Sequence, residues 1–240
     1  MVDPIQIKEV IKPADQGLSR PYLCRCADNE LYYVKGKNTT PDSMYKEWIC
    51  AHLADQLNLP IPDFAIVELP PELIEALPPE LANIGAGLAF GSKAVLRPVW
   101  FEQASVNDIS PELQRRVVAF DWWIQNADRS QHNPNLLLDQ GDLVVIDHNN
   151  AFDTDFDPEQ FIQQHIFADE ARNLFADYIE RAALEDEFKQ LTPLFDNALS
   201  EAPSEWKWYD SEATVPGNFD AAHCRKVIRK CQESTFWNIE

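Results

Sequence analysis

Apolar and polar positions alternate in short runs through the first hundred residues. Residues 5–11 alternate enough for an opening strand, and Pro13 to Ser19 is a loop. Tyr22 to Cys26 and Leu31 to Lys35 predict two more strands, joined by the tight turn Ala27-Asp-Asn-Glu30, where Asp and Asn tolerate left-handed backbone. Phe64 to Leu69 predicts a fourth strand. Gly85, Gly87 and Gly91 predict a flexible loop before a fifth, Ala94 to Val99. One segment breaks the alternation: Tyr45, Ile49, Leu53 and Leu57 fall on one face of a helix that Ser43 caps and Pro60-Ile-Pro62 ends. Residues 70–80 repeat Pro-Pro-Glu-Leu, which encloses only a short helical turn or two and is no repeat architecture.

From Ser110 the period becomes helical. Ser110-Pro111 reads as a cap and first-turn pair, and Leu113, Val117, Phe120 and Ile124 share a face. Next come two apolar runs, Leu136 to Leu138 and Leu143 to Ile146, separated by Asp139-Gln-Gly-Asp142. A turn centred on Gln140-Gly141 makes them a hairpin, with Leu138 opposite Leu143 and Pro134 opposite Asp147. Beyond Asp153, acidic amphipathic segments near 158–182, 184–199 and 218–235 predict helices, with Trp206 and Trp208 between the last two. The fold class is therefore α+β with two lobes. Residues 1–100 form an antiparallel sheet with one main helix, residues 101–240 a mostly helical lobe, and the boundary falls near Pro98 to Glu102.

The hairpin matters for its open end. There Asn133 and Asp147 come side by side, and Asp128 loops back from just upstream. An amide and two carboxylates converging on one spot suit Mg²⁺, which takes one or two carboxylates and fills its octahedron with phosphate oxygens and water. Asp128, Asn133 five residues on, and Asp147 beyond a hairpin match the spacing of a kinase catalytic loop and its metal-binding Asp. The letters around them differ from those of ordinary protein kinases: His-Arg-Asp is absent, and Asp147 precedes His-Asn-Asn. Asn126-Ala-Asp-Arg…Asn133-Pro-Asn, with Ile146-Asp-His148 and Ala151-Phe152, instead resembles the HipA-like kinases and, more distantly, the phosphatidylinositol kinases. The resemblance runs from about Gly17 to Asp153. It implies a protein-kinase-like fold, with Asp128 as catalytic base and Asn133 and Asp147 as Mg²⁺ ligands.

Lys35 closes a strand on which Leu31, Tyr33 and Lys35 point one way and Tyr32 and Val34 the other. Kinases use such a Lys to hold the α- and β-phosphates, tied by a helix Glu. Glu47 is the candidate partner, on a stripe with the small residues Cys50, Ala51 and Ala54. Gln16 to Pro21 lies where kinases place the phosphate-covering loop. Its Gly-x-Ser-x-Pro form resembles the shorter loops of the HipA-like family, so Gly17 and Ser19 are candidate phosphate contacts. Pro98, Val99 and Trp100 form the candidate hinge whose backbone would meet adenine.

Composition sets limits on this. Hydrophobic content of 45% and seven Trp suit a folded globule. A net charge of −20 disfavours nucleic acid and anionic membrane and favours basic partners or simple solubility. Five scattered cysteines are no disulfide framework, and the buried thiol is the expected state of each. The start Met-Val-Asp-Pro lacks a basic-then-apolar leader and no apolar run nears membrane length, which predicts a cytoplasmic protein. Asp128, His132, Asp147 and His148 carry the donor types of a metallohydrolase cluster, but adjacent strand residues such as Asp147 and His148 face opposite ways. The expected function is ATP- and Mg²⁺-dependent phosphotransfer, which the resemblance directs to Ser or Thr of a protein substrate. The alternatives are a pseudokinase that binds nucleotide as an interaction module, and an AMP transferase on the same fold.

Overall fold

A computed structural model describes residues 3–14 and 20–239. Strand β1 (Ile5–Pro13) pairs antiparallel with β2 (Tyr22–Cys26), and β2 pairs likewise with β3 (Leu31–Lys35). After helix α1 (Pro41–Gln56) come β4 (Phe64–Leu69), the short helix α2 (Pro71–Ala76) and β5 (Gly87–Lys93). Strand β5 pairs antiparallel with both β3 and β4, and β1 meets β4 in parallel at Ile5 and Val67. The sheet thus closes in the order β1-β2-β3-β5-β4. The parallel seam corrects the expectation of a wholly antiparallel sheet, for a geometric reason. Five strands alternating in direction end on the direction they began with, so a closed ring of five needs one parallel pair. The interior holds Ile7, Val10, Cys24, Tyr32, Val34 and Val67, from alternate positions of the strands. Burial pushes the thiols of Cys24 and Cys26 up to about 12, so both pack as neutral groups.

The fifth strand lies earlier than the sequence pattern suggests. Residues 87–93 form it, whereas the predicted strand 94–99 is mostly irregular and leaves Leu96 83% exposed. The glycines misled. Gly91 sits within the strand opposite Ala65, and a Cβ there would lie 2.8 Å from Val67 Cγ1, so glycine serves close approach and not looping.

Helix α1 opens two residues before the expected cap. Thr40 Oγ1 accepts from the Ser43 N–H at 3.1 Å, and Pro41 occupies the first turn. Tyr45, Ile49, Leu53 and Leu57 are buried as the stripe requires, but so are Met44, Trp48, Cys50 and Ala54. A helix buried on more than one side is an interior element.

Two compact units result. The first comprises Met1–Trp48, Pro62–Leu96 and Ser200–Phe219, the second Ile49–Ile61, Arg97–Leu199 and Asp220–Glu240. Within the first unit, segment 200–219 packs on the sheet and on the start of α1. Buried Trp206 donates its indole N–H to Leu88 O at 2.8 Å and lies edge-on to Tyr45, which stacks on Phe219 at 4.5 Å.

In the second unit, β6 (Val99–Trp100) precedes helix α3 (Pro111–Trp123), and β7 (Leu136–Asp139) and β8 (Asp142–Val145) form a hairpin beside β6. Ser110 Oγ accepts from the Leu113 N–H at 3.3 Å, the cap read from the sequence. Val117, Phe120, Trp123 and Ile124 are fully buried, with Trp123 stacked on Phe188 at 4.5 Å. Helices α4 (Pro158–Gln164), α5 (Ala168–Ala176), α6 (Tyr178–Glu201) and α7 (Ala221–Arg229) follow. The expected helix 158–182 is broken at His165 to Phe167, and α6 runs on through the expected break near residue 183, with Pro193 inside it. Burial of Leu184, Phe188, Phe195 and Ala198 along one side of α6 offsets the backbone bond that Pro193 cannot donate. Among the described residues no helix is long and apolar enough to cross a membrane.

Candidate active site

In the first unit the alternation of β3 sends Tyr32 and Val34 into the barrel and leaves Lys35 on the opposite face. There the Lys35 ammonium meets the Glu47 carboxylate of α1 in an ion pair that is buried at both ends. Taking two charges out of water is costly unless they are well paired, so a buried pair of this kind is weak evidence for stability and better evidence for a task. Gly17 and Ser19 lie outside the described residues. Arg20, just after them, has φ +38°, and its carbonyl accepts from Asn38 Nδ2 at 3.2 Å.

The second unit carries the hairpin and the loop before it. Asp139 pairs with Asp142 and Leu138 with Leu143, the register expected. Gln140 and Gly141 take φ +54° and +102°, the two left-handed positions that a two-residue hairpin turn of the primed type requires. The ladder stops short of Pro134 and Asp147. Its last pair is Leu136 with Val145, extended only by the Ile146 N–H to Asn135 O bond of 3.1 Å. Asn135 at φ +48° and Asp147 at φ +60° then turn both chains out of the sheet, so the predicted facing of Pro134 and Asp147 does not form. Pro98 precedes β6. Val99 and Trp100 of that strand pair with Leu138 and Leu137, and their side chains are exposed.

Asp128 lies at the centre of a ring of amides. Its Oδ2 accepts from Asn133 Nδ2 at 3.0 Å, Asn135 Nδ2 at 2.9 Å and Asn150 Nδ2 at 3.0 Å. Asn133 is brought close by a tight loop in which its N–H reaches both the carbonyl and Oγ of Ser130 at 3.2 Å. Because the Nδ2 of Asn133 is committed to Asp128, its Oδ1 is the atom left to ligate a cation. An amide oxygen and a carboxylate are both hard oxygen donors of the kind Mg²⁺ takes, so in donor chemistry Asn133 Oδ1 and Asp147 fit that ion. His132 is exposed, whereas His148 is buried with its ring edge-on to Phe120.

Beneath this loop lies a buried charge network that the sequence pattern did not single out. Arg129 is fully buried. Its Nε donates to Asp121 Oδ2 at 2.7 Å, and its Nη1 donates to the carbonyls of Asn135 at 2.6 Å and Ile146 at 3.1 Å. One guanidinium thereby holds both strands at the open end of the hairpin against α3. Asn126 Nδ2 reaches Asp121 Oδ1 at 3.0 Å, and His165 Nε2 lies 3.1 Å from Asp121 Oδ2. His165 Nδ1 accepts from the Phe167 N–H at 3.0 Å, so the proton sits on Nε2 and points at Asp121. Burial lowers the pKa of His165, which keeps the ring neutral, although Asp121 pulls the other way. For Asp121 burial opposes charge, but Arg129 and His165 outweigh it and hold the carboxyl at about 2.

The sequence model of the HipA-like kinases matches residues 7–240. The chain belongs to the HipA-like kinase family. Among solved structures, a proinflammatory kinase of Helicobacter pylori, CtkA, is similar with a TM-score of 0.54 and 12% identity, over 98% of this chain and 94% of that one. At that identity the likeness concerns the fold, which is kinase-like and α+β. A search of curated proteins found no sequence match. The sequence did carry a signal for part of the buried charge network: Asp121 is a lone charge inside the apolar run Val117 to Ile124, and charges almost never go fully buried unless paired. No local signal named its partners.

Proposed function

We propose that this HipA-like kinase transfers the γ-phosphoryl group of ATP to a Ser or Thr hydroxyl of a protein substrate, with Mg²⁺, in the cytoplasm. The observation that carries the reading is Asp128, a carboxylate whose Oδ2 is held by three amides and whose Oδ1 is left for an acceptor. In this role Asp128 Oδ1 accepts the hydroxyl proton while the hydroxyl oxygen bonds to the γ-phosphorus. The bond from that phosphorus to the bridging oxygen breaks, and ADP leaves with the electron pair. Asn133 Oδ1 and Asp147 would hold Mg²⁺, which when bound neutralises charge on the β- and γ-phosphates. Lys35, held by Glu47, would supply the cation for the α- and β-phosphates. Gly17 and Ser19 are the proposed phosphate loop, and Pro98, Val99 and Trp100 the proposed adenine hinge.

The test combines binding with product analysis. A ligand at about a hundred times its dissociation constant stabilises a fold by roughly 2.7 kcal/mol, so Mg·ATP should raise the melting temperature and EDTA should abolish most of the rise. ADP and a phosphorylated protein should form. Binding without turnover would indicate a pseudokinase, and a protein-bound AMP would indicate adenylyl transfer. No effect of ATP on melting at any Mg²⁺ concentration would overturn the nucleotide-site reading. The net charge of −20 favours a basic segment around the acceptor residue. Association with such a substrate should slow as salt rises, because the Debye length shrinks from about 30 Å at 0.01 M to about 8 Å at 0.15 M.

A further inference from the structure

Asn135 and Asn150 stand outside the Asp128, Asn133, Asp147 set, yet both turn an amide onto the same carboxylate oxygen as Asn133, at 2.9 and 3.0 Å. A carboxylate oxygen accepts only, so the atom each amide presents must be its Nδ2, and the orientation of all three side chains is fixed by chemistry. Each carboxylate oxygen has two lone pairs. Three donors therefore saturate Oδ2, and among the described residues the bonds to Asp128 leave Oδ1 as the oxygen open to a further donor.

The two amides reach Asp128 by different routes. Asn135 is buried, in left-handed backbone, and its carbonyl is taken by Arg129 and by the Ile146 N–H. Asn150 is exposed and lies three residues past Asp147, so its bond joins the segment carrying that carboxylate to the catalytic loop. Solvent competes for an exposed hydrogen bond and stability gains little from it.

We propose that Asn135 and Asn150 are positioning residues for phosphoryl transfer. They lock the carboxylate of Asp128 by Oδ2 so that Oδ1 faces the acceptor hydroxyl, and Asn150 couples the base to the segment of Asp147. This rests on the kinase reading above. Asn150→Leu removes the amide at similar volume on an exposed site. Its kcat should fall about 10–100-fold, the factor for one lost hydrogen bond to a charged group, with KM for ATP and the melting temperature unchanged. Asn150→Asp keeps the shape but sets carboxylate against carboxylate, and its kcat should fall at least as far. Asn150→Gln, which retains the amide on a longer stem, should recover part of the rate. A role confined to stability would move the melting temperature and leave the kcat of folded protein intact. If wild type forms ADP and phosphoprotein while Asn150→Leu and Asn150→Asp turn over at its rate, or if only KM changes, the inference fails and the kinase reading stands. If wild type forms neither product with Mg·ATP, both fall together.

Discussion

Replacing Arg129 by Met offers the sharpest test of how the loop of residues 126–135 is held. Methionine fills a similar volume but removes every donor. Asp121 loses its 2.7 Å ion pair and keeps only Asn126 and neutral His165, while the carbonyls of Asn135 and Ile146 lose a shared cationic donor. Both side chains of the pair are fully buried, so solvent cannot take over the abandoned charge. Breaking a buried pair from one side costs about 3–5 kcal/mol, a large share of the roughly 5–15 kcal/mol that holds a typical protein folded. For a chain of this size that corresponds to a fall in melting temperature of roughly 6–20 °C. Denaturant unfolding followed by Trp fluorescence measures the loss, and hydrogen exchange at the amides of α3 assigns it to the second unit. The decisive comparison is the double variant Asp121→Leu/Arg129→Met. It leaves no unpaired ion, and should lose less stability than the sum of the two single variants by more than about 1 kcal/mol. Strict additivity, or a loss under about 1 kcal/mol for Arg129→Met alone, would refute the claim that one buried charge network secures the loop.

Three further outcomes are expected. Asp128→Ala should reduce phosphoryl transfer about 10²–10⁴-fold while ATP affinity, read by thermal shift, changes little; wild-type activity in that variant would remove Asp128 from the chemistry. Lys35→Met should weaken both ATP binding and rate and take the buried countercharge away from the Glu47 carboxylate, so Lys35→Met/Glu47→Gln should melt higher than Lys35→Met; the opposite order would contradict the buried ion pair. Acid should destabilise the fold in two stages. Below about pH 6.5 the unfolded chain takes up a His165 proton that the buried ring resists, and the Asp121 contribution, present above about pH 4, fades as pH falls through about 2. Melting temperatures between pH 7 and 5 should therefore fall less steeply in His165→Asn than in wild type.

Local pattern determined much of the chain without help from the fold. Period-two alternation located β1 to β4, and helical spacing located α1 and α3. The hairpin register followed from Gln140-Gly141, because a two-residue turn with two left-handed positions sets the pairing from its own end. The meeting of Asp128 and Asn133 was legible for the same reason: five residues apart in a tight loop, they have little freedom to separate. Lys35 and Glu47 were legible as residue types on faces, and the folded chain decided that they meet.

Other features had no local trace. Gly91 reads as a loop residue until β4 lies alongside and Val67 fills the space a side chain would need. The parallel seam between β1 and β4 exists only once five strands curl shut. The burial of Arg129 depends on Asp121 eight residues before it and on carbonyls up to seventeen after it. His165 comes to Asp121 across 44 residues, and Asn150 to Asp128 across 22. Periodicity records which face of an element is buried. It does not record which distant polar group arrives to satisfy a buried charge, because that choice is made by backbone geometry assembled from many segments at once.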